Sequence, residues 1–246
     1  MGSLAPRVEA ETVLVQGRLS EREVFELLEQ GFQQIRQGQP VQAIQTFDRA
    51  LEAARQGQYQ QFEAVALLGI GRNYYQIGQR QQALESYEQA LILFRETNNR
   101  SWEANTLNNI GAVYNALGNR TEALNYYNQA LPIRREVGDR PGEASTLNNI
   151  GVVYSALGNR TEALDYYNQA LPILREVGDR SGEATTLNNI GGVYNALGNR
   201  TQALDYFNQA LPILREVGDR PGEATTLSNI GLVYNALGNR TDALDY

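Results

Sequence analysis

Thr146-Leu147-Asn148-Asn149-Ile150-Gly151-Val152-Val153-Tyr154-Ser155-Ala156-Leu157-Gly158-Asn159-Arg160-Thr161-Glu162-Ala163-Leu164 recurs almost letter for letter before and after itself. Gly111, Gly151, Gly191 and Gly231 hold the same place in successive copies, 40 residues apart. A fixed period of this size marks stacked supersecondary units, not a single closed globule. Each unit then touches only its neighbours, so chain length sets the number of units and not the size of one core. The expectation is one elongated array.

Within a copy the apolar side chains fall at Ala144, Leu147, Ile150, Gly151, Tyr154 and Leu157, then at Ala163, Leu164, Tyr167, Ala170, Leu171 and Leu174. Steps of three and four predict two amphipathic helices. Gly158 between them suits the left-handed position that closes a helix. Asn159 reads as the N-cap of the second helix, with Glu162 three residues on as in a capping box. Pro40 in the first copy aligns with Arg160 and falls at the first helical position, where a missing N–H costs nothing. First helices are expected near 22–37, 62–77, 102–117, 142–157, 182–197 and 222–237, and second helices near 40–56, 80–96, 120–136, 160–176 and 200–216. Residues 1–20 match no later copy and read as a leader or linker; 21–246 form five complete repeats and a truncated sixth. Because Ala243, Leu244 and Tyr246 would leave an apolar end, the array is expected to continue in a longer protein. Pro132, Pro172 and Pro212 fall inside second helices, whereas the first two copies carry Glu52 and Ile92 there. Each proline removes a backbone donor, so the N-terminal second helices are expected to be straighter.

With 42% apolar and 20% charged residues the chain has the composition of a soluble globular protein, not of a disordered one. A net charge of −7 without a basic stripe argues against nucleic acid as a partner. There is no Cys, His or Lys. The thiol nucleophile, the commonest metal ligand and the Schiff-base amine are therefore all missing, and neither a cofactor nor a metal is expected. No catalytic constellation emerges, and the chain is read as a non-enzyme. No apolar run approaches the ~18 residues that cross a bilayer, and no export signal is evident, which places the expected site of action in the cytoplasm, off the membrane.

Leu147, Gly151 and Tyr154 followed by Ala163, Tyr167 and Ala170 resemble the tetratricopeptide repeat pattern of a spaced Leu-Gly-Tyr helix and an Ala-Tyr-Ala helix. The Leu-Gly-Asn turns, the Gly-Asp-Arg linkers and the longer period are similar to the repeats of kinesin light chains, spindle-orientation adaptors and bacterial arrays that precede a caspase-like CHAT domain. The resemblance implies an all-α, right-handed α-solenoid of antiparallel helix–turn–helix units, with the first helices lining a concave groove. It also implies a scaffold that binds a protein or peptide.

With Leu147, Gly151 and Tyr154 committed to the core, the adjacent stripe Ser145, Asn148, Val152 and Ser155 is predicted to face that groove. Its equivalents are Asn105, Asn108, Ala112 and Asn115; Thr185, Asn188, Gly192 and Asn195; and Thr225, Ser228, Leu232 and Asn235. A row of Asn amides can bond the backbone of an extended peptide without reading its side chains. Asn108, Asn148 and Asn188 are assigned to such a ladder because their side of the helix has no protein to face. Asn109, Asn149, Asn189 and Asn229 are assigned to bracing between helices. In the N-terminal copies Val65, Leu68, Arg72 and Tyr75 take the groove positions, and Arg72 is weighed evenly between gripping a carboxylate and an ordinary ion pair. Phe25, Leu28, Phe32 and Ile35 form an apolar stripe expected to be covered by Val13-Leu14-Val15 or by a partner.

Other recurrent features take plainer readings. The Asn-Arg-Thr sequons at Asn119 and its copies follow from the N-cap and the repeat. One tyrosine of Tyr126-Tyr127 and of Tyr166-Tyr167 is core packing. Glu143, Glu183 and Glu223 sit in the first turn of a helix, where the dipole favours them. The leading functional reading is a peptide-binding scaffold. Its alternative is the regulatory arm of a protein whose catalytic domain lies beyond residue 246, and a third is end-to-end self-association through the uncapped C-terminal helix.

Overall fold

A computed structural model describes residues 18–239, which carry eleven α-helices and short turns. In chain order they are α1 (Glu21–Arg36), α2 (Pro40–Gly57), α3 (Gln60–Gln76), α4 (Arg80–Glu96), α5 (Arg100–Ala116), α6 (Arg120–Glu136), α7 (Arg140–Ala156), α8 (Arg160–Val177), α9 (Arg180–Ala196), α10 (Arg200–Val217) and α11 (Arg220–Ala236). The expected paired helix–turn–helix organisation is what the chain adopts. The final partial second helix, with Ala243, Leu244 and Tyr246, lies outside the described residues, as does Val13-Leu14-Val15.

The helices fall into two units, Met1–Leu117 and Gly118–Tyr246. In the first, each helix from α1 to α5 packs on the next, and first helices also meet, α1 with α3 and α3 with α5. The second repeats this scheme from α6 to α11, with α7 meeting α9 and α9 meeting α11.

The close approach of the two helices in a repeat depends on glycine. A Cβ on Gly151 would lie 2.6 Å from the ring of Tyr167, and one on Gly71 would lie 2.7 Å from the ring of Tyr87. The absent side chain lets the aromatic ring of the second helix lie against the backbone of the first. Tyr167 is buried there, while its neighbour Tyr166 stacks on Tyr154 with centroids 5.4 Å apart. Around Tyr167, the side chains of Leu187, Ile190 and Ile213 complete a core that joins successive repeats. Burying each such aliphatic side chain contributes about 1.5–3 kcal/mol.

The turns differ from expectation in their chemistry. Gly158 has φ +83°, its N–H donates to the carbonyl of Ser155 at 3.1 Å, and the Asn159 N–H donates to the carbonyl of Tyr154 at 3.0 Å. These paired bonds close α7 as a Schellman motif. Asn159 does precede α8, but its side chain makes no capping bond, so the capping box expected with Glu162 is not formed. Asn119 does cap, accepting from the Glu122 N–H at 3.4 Å. The reciprocal arrangement is found at Ser20 and Glu23.

First helices from α3 onward begin two residues earlier than expected, and α1 begins one residue earlier. Asp139 Oδ1 accepts the Gly142 N–H at 2.9 Å, and Asp179 and Asp219 do the same for Gly182 and Gly222. Pro132, Pro172 and Pro212 lie within α6, α8 and α10, which continue past them.

Ion pairs tie one repeat to the next. Buried Glu143 on α7 accepts from Arg135 Nε of α6 at 2.7 Å and from Arg140 Nη1 at 2.6 Å, while Arg140 Nη2 reaches Glu176 Oε2 of α8 at 2.7 Å. Arg175 and Arg180 hold Glu183 in the same way. In the first unit Arg95 and Arg100 hold Glu103 at 3.0 and 2.6 Å. The first-turn carboxylates are thus clamps between helices as well as partners of the helix dipole.

Candidate functional site

The row of groove residues predicted for the second unit does not stand free of protein. Asn148 Oδ1 accepts from Thr186 Oγ1 at 3.1 Å and from Asn189 Nδ2 at 3.4 Å, both on the next first helix. Asn188 Oδ1 likewise accepts from Thr226 Oγ1 at 3.2 Å and Asn229 Nδ2 at 3.4 Å. The expectation that Asn148 and Asn188 face no protein is therefore corrected: adjacent first helices pack closely enough for the amide to bridge them. Asn189 and Asn229 do brace. The Nδ2 groups of Asn148 and Asn188 make no hydrogen bond to other described residues, and both side chains are half-exposed.

Ser145, Asn148 and Thr185 are brought together around a hollow of about 130 Å³ whose floor includes Leu174 and Gly182. Ser145 and Thr185 are exposed. Val152, Ser155 and Asn195 are half-buried and Asn235 is exposed, and none of these lines that hollow. Val152 packs against the core.

The first unit builds a larger cleft, of about 380 Å³. Arg72, Tyr75, Leu68 and Gly69 reach it from α3, Phe32 from α1, Tyr87 from α4, and Trp102, Asn105 and Asn109 from α5. Arg72, Tyr75 and Asn105 were expected at a binding surface and share this cleft, while Asn108 and Asn115, both half-buried, lie outside it. Trp102 and Tyr87 were not anticipated. Trp102 stands where later copies carry Gly142, Gly182 and Gly222, a departure legible in the sequence, and it stacks on Phe94 with centroids 5.9 Å apart.

Arg72 is exposed, and among the described residues no carboxylate pairs with it. Arg72 thus makes no ordinary ion pair among the described residues. Burial pushes the Tyr87 phenol above its usual range, the charge of Arg72 acts in the opposite direction, and Tyr75 adds to the rise. Tyr87 therefore presents a neutral hydroxyl within electrostatic reach of the guanidinium. The apolar stripe of α1 packs against α2 of its own repeat and α3 of the next. Leu28 is buried, Phe32 packs edge-on against Phe47 at 5.1 Å, and Phe25 remains half-exposed beside Phe62.

The tetratricopeptide repeat profile matches residues 23–96, 102–176 and 182–246. The chain belongs to the tetratricopeptide repeat family. No curated protein matches it in sequence. Solved structures of similar fold include the apo form of RapI, 20% identical over 91% of this chain and 81% of that one, with a TM-score of 0.81. A Rap protein complexed with Competence and Sporulation Factor is 18% identical over 98% of this chain and 73% of its own, with a TM-score of 0.74. Nearly identical repeats of a putative kinesin light chain from Podosopora anserina are 18% identical over 80% of this chain and 97% of theirs, with a TM-score of 0.65. At these identities the likeness is one of tetratricopeptide fold. That fold supports a role as a protein–protein interaction scaffold. Among the described residues no helix is long and apolar enough to cross a membrane, and no cluster of acidic side chains could hold a metal ion.

Proposed function

We propose that the first-helix face of the second unit holds an extended segment of a partner protein, bound chiefly through its backbone. The observation that carries this reading is the row of uncharged amide and hydroxyl side chains on α7 and α9, whose charged side chains, Arg140, Glu143, Arg180 and Glu183, are tied into ion pairs at the helix starts. Asn148 and Asn188 use Oδ1 within the protein and keep Nδ2 for a ligand. Each amide can thus donate to a peptide carbonyl, held in orientation by the next repeat before the ligand arrives. Ser145 and Thr185 supply hydroxyls beside them. A backbone-reading row of this kind accepts many side chains and favours an extended chain over a folded surface. The Rap protein solved with Competence and Sporulation Factor shares the fold, which is in keeping with partner binding on such a scaffold.

The test uses a random-peptide library selected on the full chain. Ser145→Trp, which fills the first-helix face, is expected to weaken the selected peptides about a hundred-fold, a loss of ~2.7 kcal/mol. Asp165→Trp, on the exposed face of α8, is expected to leave them unchanged. Peptides that ignore Ser145→Trp and respond to Asp165→Trp would place binding on the second helices and sink the reading.

A further inference from the structure

The cleft of the first unit departs from its own repeat at the side chains that give it chemistry. Arg72 stands where later copies carry Ala112, Val152 and Gly192, Tyr75 where they carry Asn or Ser, and Trp102 where they carry glycine. Core positions of the same unit, such as Gly71 on α3 and Tyr87 on α4, keep the repeat pattern. The departures are therefore not demanded by stacking.

At about 380 Å³ the cleft lies in the size range of small-molecule sites, which pair apolar and aromatic walls with a few polar groups. Phe32, Tyr75 and Trp102 provide flat apolar walls, and Arg72 provides one cation with no carboxylate partner among the described residues. Walls of this kind match a flat apolar body carrying one anionic group. Aromatic rings meet a ligand ring in offset or edge-on contact. The planar guanidinium takes both oxygens of a carboxylate in parallel hydrogen bonds, and the neutral Tyr87 hydroxyl beside it can donate to the same group. A phosphate carries nearly two charges, more than a single arginine balances. Four helices wall the space, so a compact molecule with one ring and a short acid arm fits it better than a chain running through.

We propose that the cleft at Arg72 binds a small aromatic carboxylate, with Arg72 holding the acid group and Trp102 and Tyr75 holding the ring. This site belongs to the first unit and stands independently of the peptide reading of the second.

Trp102 is the one tryptophan of the chain, so its emission reports on the cleft without a label. The full chain is titrated with 3-phenylpropionate and, separately, with 3-phenylpropionamide, each also followed by calorimetry. The carboxylate is expected to give a saturable change, and the amide to bind about ten-fold more weakly, because it loses a charge-assisted pair. Arg72→Gln is expected to erase that preference while the far-UV spectrum and melting temperature stay unchanged, since Arg72 is exposed. Arg36→Gln, an exposed arginine of α1 outside the cleft, is expected to keep it. Equal binding of acid and amide, a preference that survives Arg72→Gln, or no saturable signal from either compound overturns the proposal. So does tighter binding of acetyl-Phe-Glu-amide, which would assign the cleft to a protein segment.

Discussion

In the second unit Asn148 and Asn188 are each held by a threonine and an asparagine of the following repeat, whereas in the first unit the matching position of α3 is Leu68, which is buried, and Arg72 and Tyr75 face a cleft. Beneath these faces the two units use the same device, a glycine under an aromatic ring, at Gly71 with Tyr87 and at Gly151 with Tyr167. The contrast teaches that stacking constrains the buried residues of every copy alike and leaves the first-helix face to vary. Sequence uniformity in the second unit gives a repeated polar surface, and its loss in the first gives a single specialised one.

The largest expected effect tests the shared part of that contrast. Gly71→Val and Gly151→Val each push a side chain into a buried ring, that of Tyr87 or Tyr167. Each should destabilise by about 3 kcal/mol in thermal or urea unfolding. A loss in one unit and none in the other would mean that the cores are not equivalent.

A smaller effect probes what the first unit gave up. Asn73 is fully buried where other copies carry Val113, Val153 and Val193. Its Nδ2 donates to the Gly69 carbonyl at 2.8 Å, but its Oδ1 has no partner among the described residues. Restoring the repeat with Asn73→Val should raise stability by roughly 1–2 kcal/mol. A fall in melting temperature would show that the buried amide is needed where it stands.

The smallest effect concerns the ion pairs of the second unit. Hydrogen bonds from Arg140, Arg180 and Arg215 hold the carboxyls of Glu176, Glu216 and Glu223 below their ordinary range. Such groups stay charged in the folded chain where the unfolded chain would take up protons. Their contribution is therefore present above the ordinary carboxylate pKa of about 4.3 and is lost as pH falls through the depressed folded values. Melting temperature should drop modestly on acidification across that window, and less so in high salt because Glu176 and Glu216 are exposed. A rise in melting temperature over the same window would contradict these pairings.

Much of the fold was legible because the period and the three-four spacing act locally. Leu147, Gly151 and Tyr167 announce both helices and their crossing within one copy. The starts of the second helices fall where the sequence places them, whereas first helices from α3 onward start two residues early; in α7, α9 and α11 an aspartate such as Asp139 caps ahead of the apolar pattern, which the pattern alone does not register. The clamps on Glu143 were readable in principle, with Arg135 and Arg140 at fixed offsets, although only the folded chain shows that one comes from the preceding helix. The bonds of Asn148 were not readable: its partners lie 38 and 41 residues away, and their reach depends on how closely first helices pack. Arg72, Tyr75 and Asn105 could be proposed as surface residues one at a time, but their convergence with Trp102 and Tyr87 needed three dimensions.

Hydrogen–deuterium exchange on the full chain, with and without a library-selected peptide, tests most directly whether the first-helix face is the working surface of the scaffold. The account predicts added protection along α7 and α9, with α8 and α10 unchanged. Protection confined to α8 and α10 would contradict it.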